Sequence, residues 1–342
     1  MKKNHVRLLI ALLLTAFLLY FFLKSVEWNQ VWENITRVDL PLFILFTILT
    51  QFHLITRALR WNVLLKHDKG RAGFYNRFAA NSIGFTVTSL IPARIGELVR
   101  PLFLAKKENM KKGFVIGTVV IERAFDVFTM CFLLGLFILA RPIFASSLEL
   151  EKETLSRLYS LGLLGLGVSF LLFGVAISLY FFKETSLRII SFLLKPFPKK
   201  ITDIVINMTE EFIQGLKFFH SLRDLGTYFL YSLFVWLSIV FMYWILLLAF
   251  GVKSSFFLVI PYTFLLAVGA AIPTPGMVGG FHYFSKLGLM SLFGVGANLA
   301  VGITIVGHGV QIIATVIVGF IVLWKEGLSL MQVQKMGTQD KD

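Results

Sequence analysis

Apolar runs of membrane-spanning length recur along this 342-residue chain and restrict the folds that it can adopt. A helix needs about 20 predominantly apolar residues to cross the hydrocarbon core of a bilayer. Because helices and closed barrels alone satisfy their backbone hydrogen bonds in lipid, the runs predict an all-α polytopic membrane protein with about six full spans. The runs lie at 8–23, 41–61, 114–140, 158–182, 227–250 and 298–324.

The composition agrees with this class and excludes others. Hydrophobic residues make up 57% of the chain and charged residues 15%, whereas soluble domains carry about 25% charged residues. One transmembrane domain over residues 1–342 is therefore expected, with no soluble domain. The single Cys131 excludes an intrachain disulfide and a cysteine-rich metal site.

Positive charge is distributed unevenly along the chain, and its placement predicts the orientation of the spans. The net charge is +14, and the densest basic loops are those that the positive-inside rule places in the cytoplasm. Anionic lipid headgroups explain this charge better than a nucleic-acid partner, because the basic residues flank apolar spans. No small-residue cleavage site follows the first run, so it is expected to remain as a span. Both termini are then cytoplasmic, in a multi-pass membrane protein.

One charged stretch, residues 89–101, lies between apolar segments on both sides. Pro92 and Pro101 lack a backbone donor and Gly96 loosens the turn between them, so the stretch predicts short broken helices. Irregular backbone is tolerated at membrane depth only where it is buried in protein or lines a wet cavity, and ionised side chains there indicate a functional site. We therefore expect a cavity whose wall carries Arg94, Glu97 and Arg100.

The apolar excursion that contains this stretch has basic residues at both ends. A single crossing would put one basic cluster outside the cell, whereas a re-entrant hairpin entering from the cytoplasm keeps both inside. The span that follows carries a second charged group. Glu122 and Asp126 are four residues apart and share a helix face, with Arg123 beside them. These three side chains are expected below the cytoplasmic surface and are further candidates for substrate binding.

A second proline break interrupts the apolar excursion at 256–293, which is expected to be a hairpin entered from outside. Its candidate substrate-binding positions are Pro273, Pro275 and Gly276. Span, hairpin and span thus occur at 41–140 and, with opposite orientation, at 227–324, as an inverted repeat. Transporters built this way bind substrate where broken helices meet, so we expect the two breaks to approach each other around a central cavity. The alternative is that an Ile-Pro pair recurs by chance in an apolar chain.

The segment at 183–223 is too polar to be a span. Within it, apolar positions recur at helical spacing opposite acidic and amide side chains. This pattern predicts a helix lying on the cytoplasmic membrane interface. A helix packed on the bundle outside the membrane is the alternative, because the polar face is not basic.

Several segments together resemble one known family. They are the residues 57–61 (RALRW), 81–85 (NSIGF), 91–101 (IPARIGELVRP), 122–126 (ERAFD) and 273–276 (PTPG). Over almost the whole chain they are similar to the lysylphosphatidylglycerol synthase transmembrane family, a flippase-like group of the UPF0104 type. The soluble aminoacyl-transferase domain of some members is not part of the resemblance.

The resemblance implies a bacterial or archaeal plasma-membrane protein that moves lipids between leaflets. The implied partners are anionic or aminoacylated phospholipids or a polyprenyl-linked glycan, together with a separate synthase where the lipid must first be made. Members fused to the transferase domain make and flip their lipid, whereas a short tail follows the last span here, which favours translocation. The family often has a glutamate in the second break. No carboxylate occurs between Met277 and His282, so a role for that glutamate does not carry over.

Arginine suits a phosphate headgroup because its planar fork binds phosphate in two places and stays charged. The arginines that fit this role are Arg94, Arg100 and Arg123. The opposing carboxylates are Glu97, Glu122 and Asp126. The six are neutral in formal count, so a structural ion-pair network between helices is the competing interpretation. Arg57 and Arg60 are expected to anchor the second span at the cytoplasmic headgroups, and capture of a lipid headgroup is the alternative for this pair.

Polar residues of the second half have structural and functional alternatives. His308 and Gln311, one helical turn apart, form either a proton relay or a hydrogen bond to a neighbouring helix. His282 and Lys286 share a helix face near the second break. An interfacial or structural role is favoured for this pair.

Lipid translocation has two rival functions. A proton-coupled carrier of a small anionic solute would use the same arginines, with a carboxylate as the proton site. A membrane-embedded headgroup transferase would hold a divalent metal on Glu97, Glu122 and Asp126. The interspersed arginines argue against a metal, and the sequence contains no nucleophile-plus-base pair or phosphate-cradling loop. We expect a protein that is not an enzyme and carries no cofactor, with gradient-driven, passive or partner-dependent transport.

Overall fold

The computed structural model describes residues 2–24, 26–66, 72–91, 94–144, 152–196, 198–216 and 221–336. All regular structure in these ranges is helical, which confirms the all-α class. The α-helices are α1 Lys2–Leu23, α2 Trp28–Thr36, α3 Leu40–Leu65, α4 Phe74–Leu90, α5 Gly96–Lys107, α6 Lys112–Phe144, α7 Lys152–Phe181, α8 Lys183–Leu193, α9 Lys199–Gly215, α10 Leu222–Ala249, α11 Val259–Ala271, α12 Gly280–Phe293, α13 Ala297–Lys325 and α14 Leu330–Met336.

Five of these helices are long and apolar enough to cross a membrane, namely α3, α6, α7, α10 and α13. They correspond to five of the six predicted full spans. The first predicted span lies in α1, whose segment Leu12–Leu23 reaches spanning length only together with α2, from which it is bent by 80°. By length and composition, the described residues therefore include five helices that could span a membrane, or six if this bent pair is one span.

Two helical hairpins lie at the predicted proline breaks. The first consists of α4 and α5, and the second of α11 and α12. Each hairpin crosses at a pair of glycines. A Cβ on Gly96 would overlap the carbonyl oxygen of Gly84, and a Cβ on Gly269 would lie 2.5 Å from the carbonyl oxygen of Gly280. No other residue fits such a close approach of two backbones, so both crossings require glycine.

Both breaks contain non-glycine residues in the left-handed backbone region. Arg94 has φ 53° in the first break, and Met277 has φ 59° in the second, beside Gly276 at φ 57°. Such conformations cost of order 1–3 kcal/mol each and persist only where the surroundings determine them. Pro92 lies outside the described residues.

The two breaks contact each other. A Cβ on Gly276 would lie 3.2 Å from the carbonyl oxygen of Ser89, near the end of α4. The guanidinium of Arg94 donates a hydrogen bond to the carbonyl oxygen of Ala270, near the end of α11. The predicted approach of the breaks is therefore observed, while the cavity expected between them stays a prediction.

The segment at 183–223 packs on the bundle through α9. The backbone amide of Gly113, at the start of α6, donates to the Glu211 carboxylate over 2.9 Å. A Cβ on Gly117 would lie 2.9 Å from the carbonyl oxygen of Phe212, so these glycines let α9 approach α6 closely. Both alternatives for the segment, an interfacial helix and a helix outside the membrane, are compatible with this packing, so its position relative to the membrane stays a prediction.

Candidate functional site

Six charged side chains from three helices meet between α3, α5 and α6. We call them the buried charge cluster: Arg57 and Arg60 on α3, Arg100 on α5, and Glu122, Arg123 and Asp126 on α6. Every member except Arg123 is at most 6% exposed. Its arginines contact Trp61 and Tyr228 of one apolar core and Trp236 of another, so the charges depend on one another for stabilisation.

Glu122 is the centre of one half of the cluster. Its two carboxylate oxygens each accept a hydrogen bond from Arg100 over 2.7 Å, which is the bidentate geometry of a strong charge-assisted pair. The Arg100 guanidinium also lies 4.0 Å from the ring centroid of Trp61. The indole of Trp61 in turn donates to the hydroxyl of Thr118 on α6 over 2.9 Å. These contacts fix the orientation of Arg100 from two sides.

Asp126 is the centre of the other half. It accepts from Arg60 over 2.6 Å and from Arg57 over 3.2 Å. The indole of Trp236 on α10 donates to the same carboxylate over 3.2 Å. Ser232, one turn earlier on α10, accepts from Arg60 over 3.3 Å. The cluster therefore connects α3 and α10 to α6.

Arg123 is the accessible edge of the cluster. It contacts Glu122 at 2.6 Å and Asp126 at 3.2 Å, yet 39% of its side chain is exposed. Arg94 and Glu97 lie outside the buried group and pair with each other at 3.2 Å, with side chains 29% and 43% exposed. Glu97 is within electrostatic range of Arg123. The predicted charged residues are thus divided into a buried group and a half-exposed pair beside it.

The buried charge cluster is not neutral. It holds four arginines and two carboxylates, an excess of two positive charges. The Nε atoms of all four arginines have no hydrogen-bond partner among the described residues. The expectation of a neutral set was wrong because it included the separate Arg94–Glu97 pair and omitted two arginines of α3.

The assignment of those two arginines to the headgroup region was also wrong. Arg57 is 6% exposed and Arg60 is fully buried. The apolar helix does not end at Trp61 as predicted but continues to Leu65, which places both guanidinium groups inside the helix packing. The run Val63-Leu64-Leu65 after the arginines was the sequence signal for this extension.

The second break brings two buried histidines together. The rings of His282 and His308 lie 4.9 Å apart, and Phe281 stacks on His308 at 4.4 Å. His282 is 9% exposed, so its role is not interfacial. Lys286 donates to the carbonyl oxygen of Phe22 at the end of α1 over 2.7 Å, a structural contact. Gln311 accepts from the hydroxyl of Tyr243 over 3.2 Å, a hydrogen bond between neighbouring helices.

Long apolar helices, two broken hairpins and a buried arginine–carboxylate cluster define an integral membrane protein with a charged site among its helices. The particular family is the lysylphosphatidylglycerol synthase TM region, which matches residues 8–319, and the chain belongs to it. The resemblance seen in the sequence is therefore confirmed.

Two relatives carry the description UPF0104 membrane protein, both from Methanocaldococcus jannaschii. MJ1595 is 22% identical over 329 residues, covering 94% of this chain and 96% of the relative. MJ1078 is 42% identical over 69 residues, covering 20% of this chain and 28% of the relative. The match to MJ1595 thus extends over nearly the whole length of both sequences.

Proposed function

We propose that this protein is an integral membrane lipid translocase that moves a phosphate-bearing headgroup between leaflets while the acyl chains stay in lipid. We further propose that it is not an enzyme, that it needs no cofactor, and that it lies in the cell membrane with both termini in the cytoplasm. The single observation that carries the proposal is the excess positive charge of the buried charge cluster.

The two excess positive charges of the cluster favour the binding of an anion. A net charge inside protein that no countercharge compensates is strongly destabilising, and more so at membrane depth. A phosphate group would neutralise it through the guanidinium forks, which match phosphate geometry. Arg123 offers the approach to the cluster, because it is the member with an exposed surface. The family described by the lysylphosphatidylglycerol synthase TM region supports a lipid as the source of the phosphate.

The contact between the two breaks supports a moving element. Arg94 holds the hairpin of α11 and α12 through one hydrogen bond to Ala270, and holds Glu97 on its own hairpin. An exposed ion pair is weak and exchanges partners at little cost. We propose that an arriving phosphate competes with Glu97 for Arg94, which loosens the contact between the breaks and opens a path for the headgroup.

The rival functions explain less of this geometry. In a metal-dependent transferase the carboxylate oxygens would face the cation, but both oxygens of Glu122 and both of Asp126 contact arginines. A carrier of a small anionic solute would use the same excess charge. The solute carrier is favoured over the lipid translocase only if a soluble anion crosses the membrane and no lipid headgroup does.

The proposal is tested in proteoliposomes with headgroup-labelled anionic and aminoacylated lipids. The measured quantity is the fraction of label that an impermeant reagent reaches from outside. Wild-type protein is expected to expose the inner-leaflet label within minutes, whereas Arg94→Ala and Glu97→Gln leave about half of it protected.

Arg157→Gln is the matched control, because Arg157 pairs with Glu153 at an exposed site on α7 and is not a member of the cluster. It is expected to behave as wild type. If wild-type vesicles match empty vesicles for every lipid, with and without a proton gradient, the proposal is overturned. Uptake of radiolabelled phosphate by the same vesicles would then favour the solute carrier.

A further inference from the structure

The charge of the buried cluster also restricts the kind of headgroup. We infer that the site selects a phosphate carrying two negative charges, as in a phosphomonoester or a diphosphate, over a singly charged phosphodiester. This inference rests on the proposed function for the lipid nature of the ligand, and on the count of four arginines against two carboxylates for its charge.

Solvation energy gives the physical reason. The energetic penalty of a buried net charge rises steeply as the charge increases, so the ligand that cancels the excess is favoured most. A phosphodiester carries one negative charge and leaves one positive charge uncompensated. A lysine ester adds positive charge to the same phosphodiester and leaves still more. A phosphomonoester at pH 8 carries close to two negative charges, because its second pKa is about 6.

The described surroundings of the cluster supply no other countercharge. Around the cluster, α10 presents Tyr228, Ser232 and Trp236, and the neighbouring ionisable side chain of α3 is His53. The Arg94–Glu97 pair beside Arg123 is neutral as a unit. Among the described residues, the excess of two charges is therefore not cancelled by the protein itself.

The arginine donors are also arranged to receive a ligand. Arg123 is held by Glu122 and Asp126 through one nitrogen, Nη2, while its Nε has no partner among the described residues. Arg57 makes the longest contact of the cluster, at 3.4 Å to Glu122, and its Nε also has no partner among the described residues. An anion entering at Arg123 would find donors that the two carboxylates leave unused.

The test measures binding to the purified protein in detergent at pH 8. The probes are dioctanoyl phosphatidate, a phosphomonoester, and dioctanoyl phosphatidylmethanol, which has the same tails and one charge less. Wild type is expected to bind phosphatidate at least tenfold more tightly. Glycerol 3-phosphate, a soluble phosphomonoester, distinguishes a lipid site from a soluble-anion site, and it is expected to bind at least tenfold more weakly than phosphatidate.

Three variants check that the cluster is responsible. Arg123→Gln lowers the excess to one charge and is expected to reduce the discrimination to less than threefold, whereas Arg123→Lys keeps the charge and retains it. Arg157→Gln is the control and retains the wild-type ratio. Equal affinity of wild type for the two lipids overturns the inference, as does unchanged discrimination in Arg123→Gln. Full competition of chloride with phosphatidate at equal concentration would also overturn the inference.

Binding and transport are measured separately, so the two proposals fail separately. Translocation of phosphodiesters without any preference for phosphatidate would overturn the charge selection and leave the translocase standing. Preferential binding of phosphatidate without translocation of any lipid would overturn the translocase and leave the charge selection standing.

Discussion

Glu122 accepts two hydrogen bonds from Arg100 and a third from Arg123, and it also contacts Arg57 and Arg60. It is fully buried. This carboxylate therefore contributes both to the stability of the protein and to the charge of the proposed binding site, because it holds four guanidinium groups together. Its removal would leave them facing one another with a single remaining carboxylate.

Glu122→Gln is therefore expected to destabilise the protein. Breaking a buried ion pair by removing one partner costs about 3–5 kcal/mol, and the change raises the buried excess from two charges to three. Unfolding of the detergent-solubilised protein, followed by loss of monodispersity on heating, measures the effect. Glu153→Gln, at an exposed pair with Arg157, is the control and should leave the midpoint unchanged. A Glu122→Gln midpoint equal to wild type would show that Glu122 does not stabilise the cluster.

The sequence predicted four of the six cluster residues as site residues, but it favoured a headgroup anchor for Arg57 and Arg60. Charges placed after a proline break or in the middle of a long apolar run are recognised easily, because nothing else explains them. Arginines near the end of an apolar run have an ordinary explanation as headgroup anchors. Whether such arginines anchor a span or join a buried cluster depends on where α3 ends and on Asp126 of the neighbouring α6. Both are features of the tertiary structure.

At the scale of the helices, the two hairpins are built alike. Each consists of two packed helices that cross at glycines, Gly84 with Gly96 and Gly269 with Gly280. The first crossing also positions the charge cluster, since a Cβ on Gly84 would lie 2.7 Å from the Cβ of Arg100. The backbone approach thus sets how far Arg100 reaches towards Glu122.

Gly96→Ala and Gly280→Ala are expected to destabilise the hairpins. The added methyl meets backbone rather than a movable side chain, and forcing extra volume into a packed site costs about 1–3 kcal/mol or more. Thermal unfolding measures this loss. Gly167→Ala and Gly174→Ala in α7 are matched controls, because an added Cβ has no neighbour within 4 Å, and alanine favours helix. Equal midpoints for the two pairs would refute the requirement for glycine at the crossings.

The prolines predicted both breaks, but the glycine crossings were not predicted in full. Proline interrupts a helix by its own covalent geometry, so its effect is local and readable. Gly96 was noted only as a flexible point in the turn. Its role in helix packing depends on Gly84 twelve residues earlier, and glycine occurs 27 times in this chain, so the sequence alone does not single out the pairs that meet.

At the scale of the whole molecule, the positive-inside rule and the repeat together predict which ends of the hairpins share a side of the membrane. The ends of the first hairpin, at Tyr75 and Lys107, should both face the cytoplasm. The ends of the second, at Lys253 and Val295, should both face outside. Two crossings in place of either hairpin would separate its ends.

Single cysteines at these four positions test this topology in a Cys131→Ser background, which removes the native thiol. An impermeant maleimide applied to intact cells is expected to label Lys253→Cys and Val295→Cys. Tyr75→Cys and Lys107→Cys should react only after permeabilisation. Labelling of just one position in either pair would contradict the re-entrant hairpin and the inverted repeat.

The measurement that most directly tests the central claim is the rate at which labelled phosphatidate leaves the inner leaflet of proteoliposomes, for wild type, Arg123→Gln and Arg157→Gln at equal protein density. Arg123 belongs to the cluster and is its exposed edge, whereas Arg157 pairs with Glu153 at an exposed surface. If the cluster binds the headgroup in transit, Arg123→Gln lowers the rate at least tenfold while Arg157→Gln matches wild type. Equal rates for all three proteins, each still monodisperse, would show that lipid does not cross the membrane by way of this cluster.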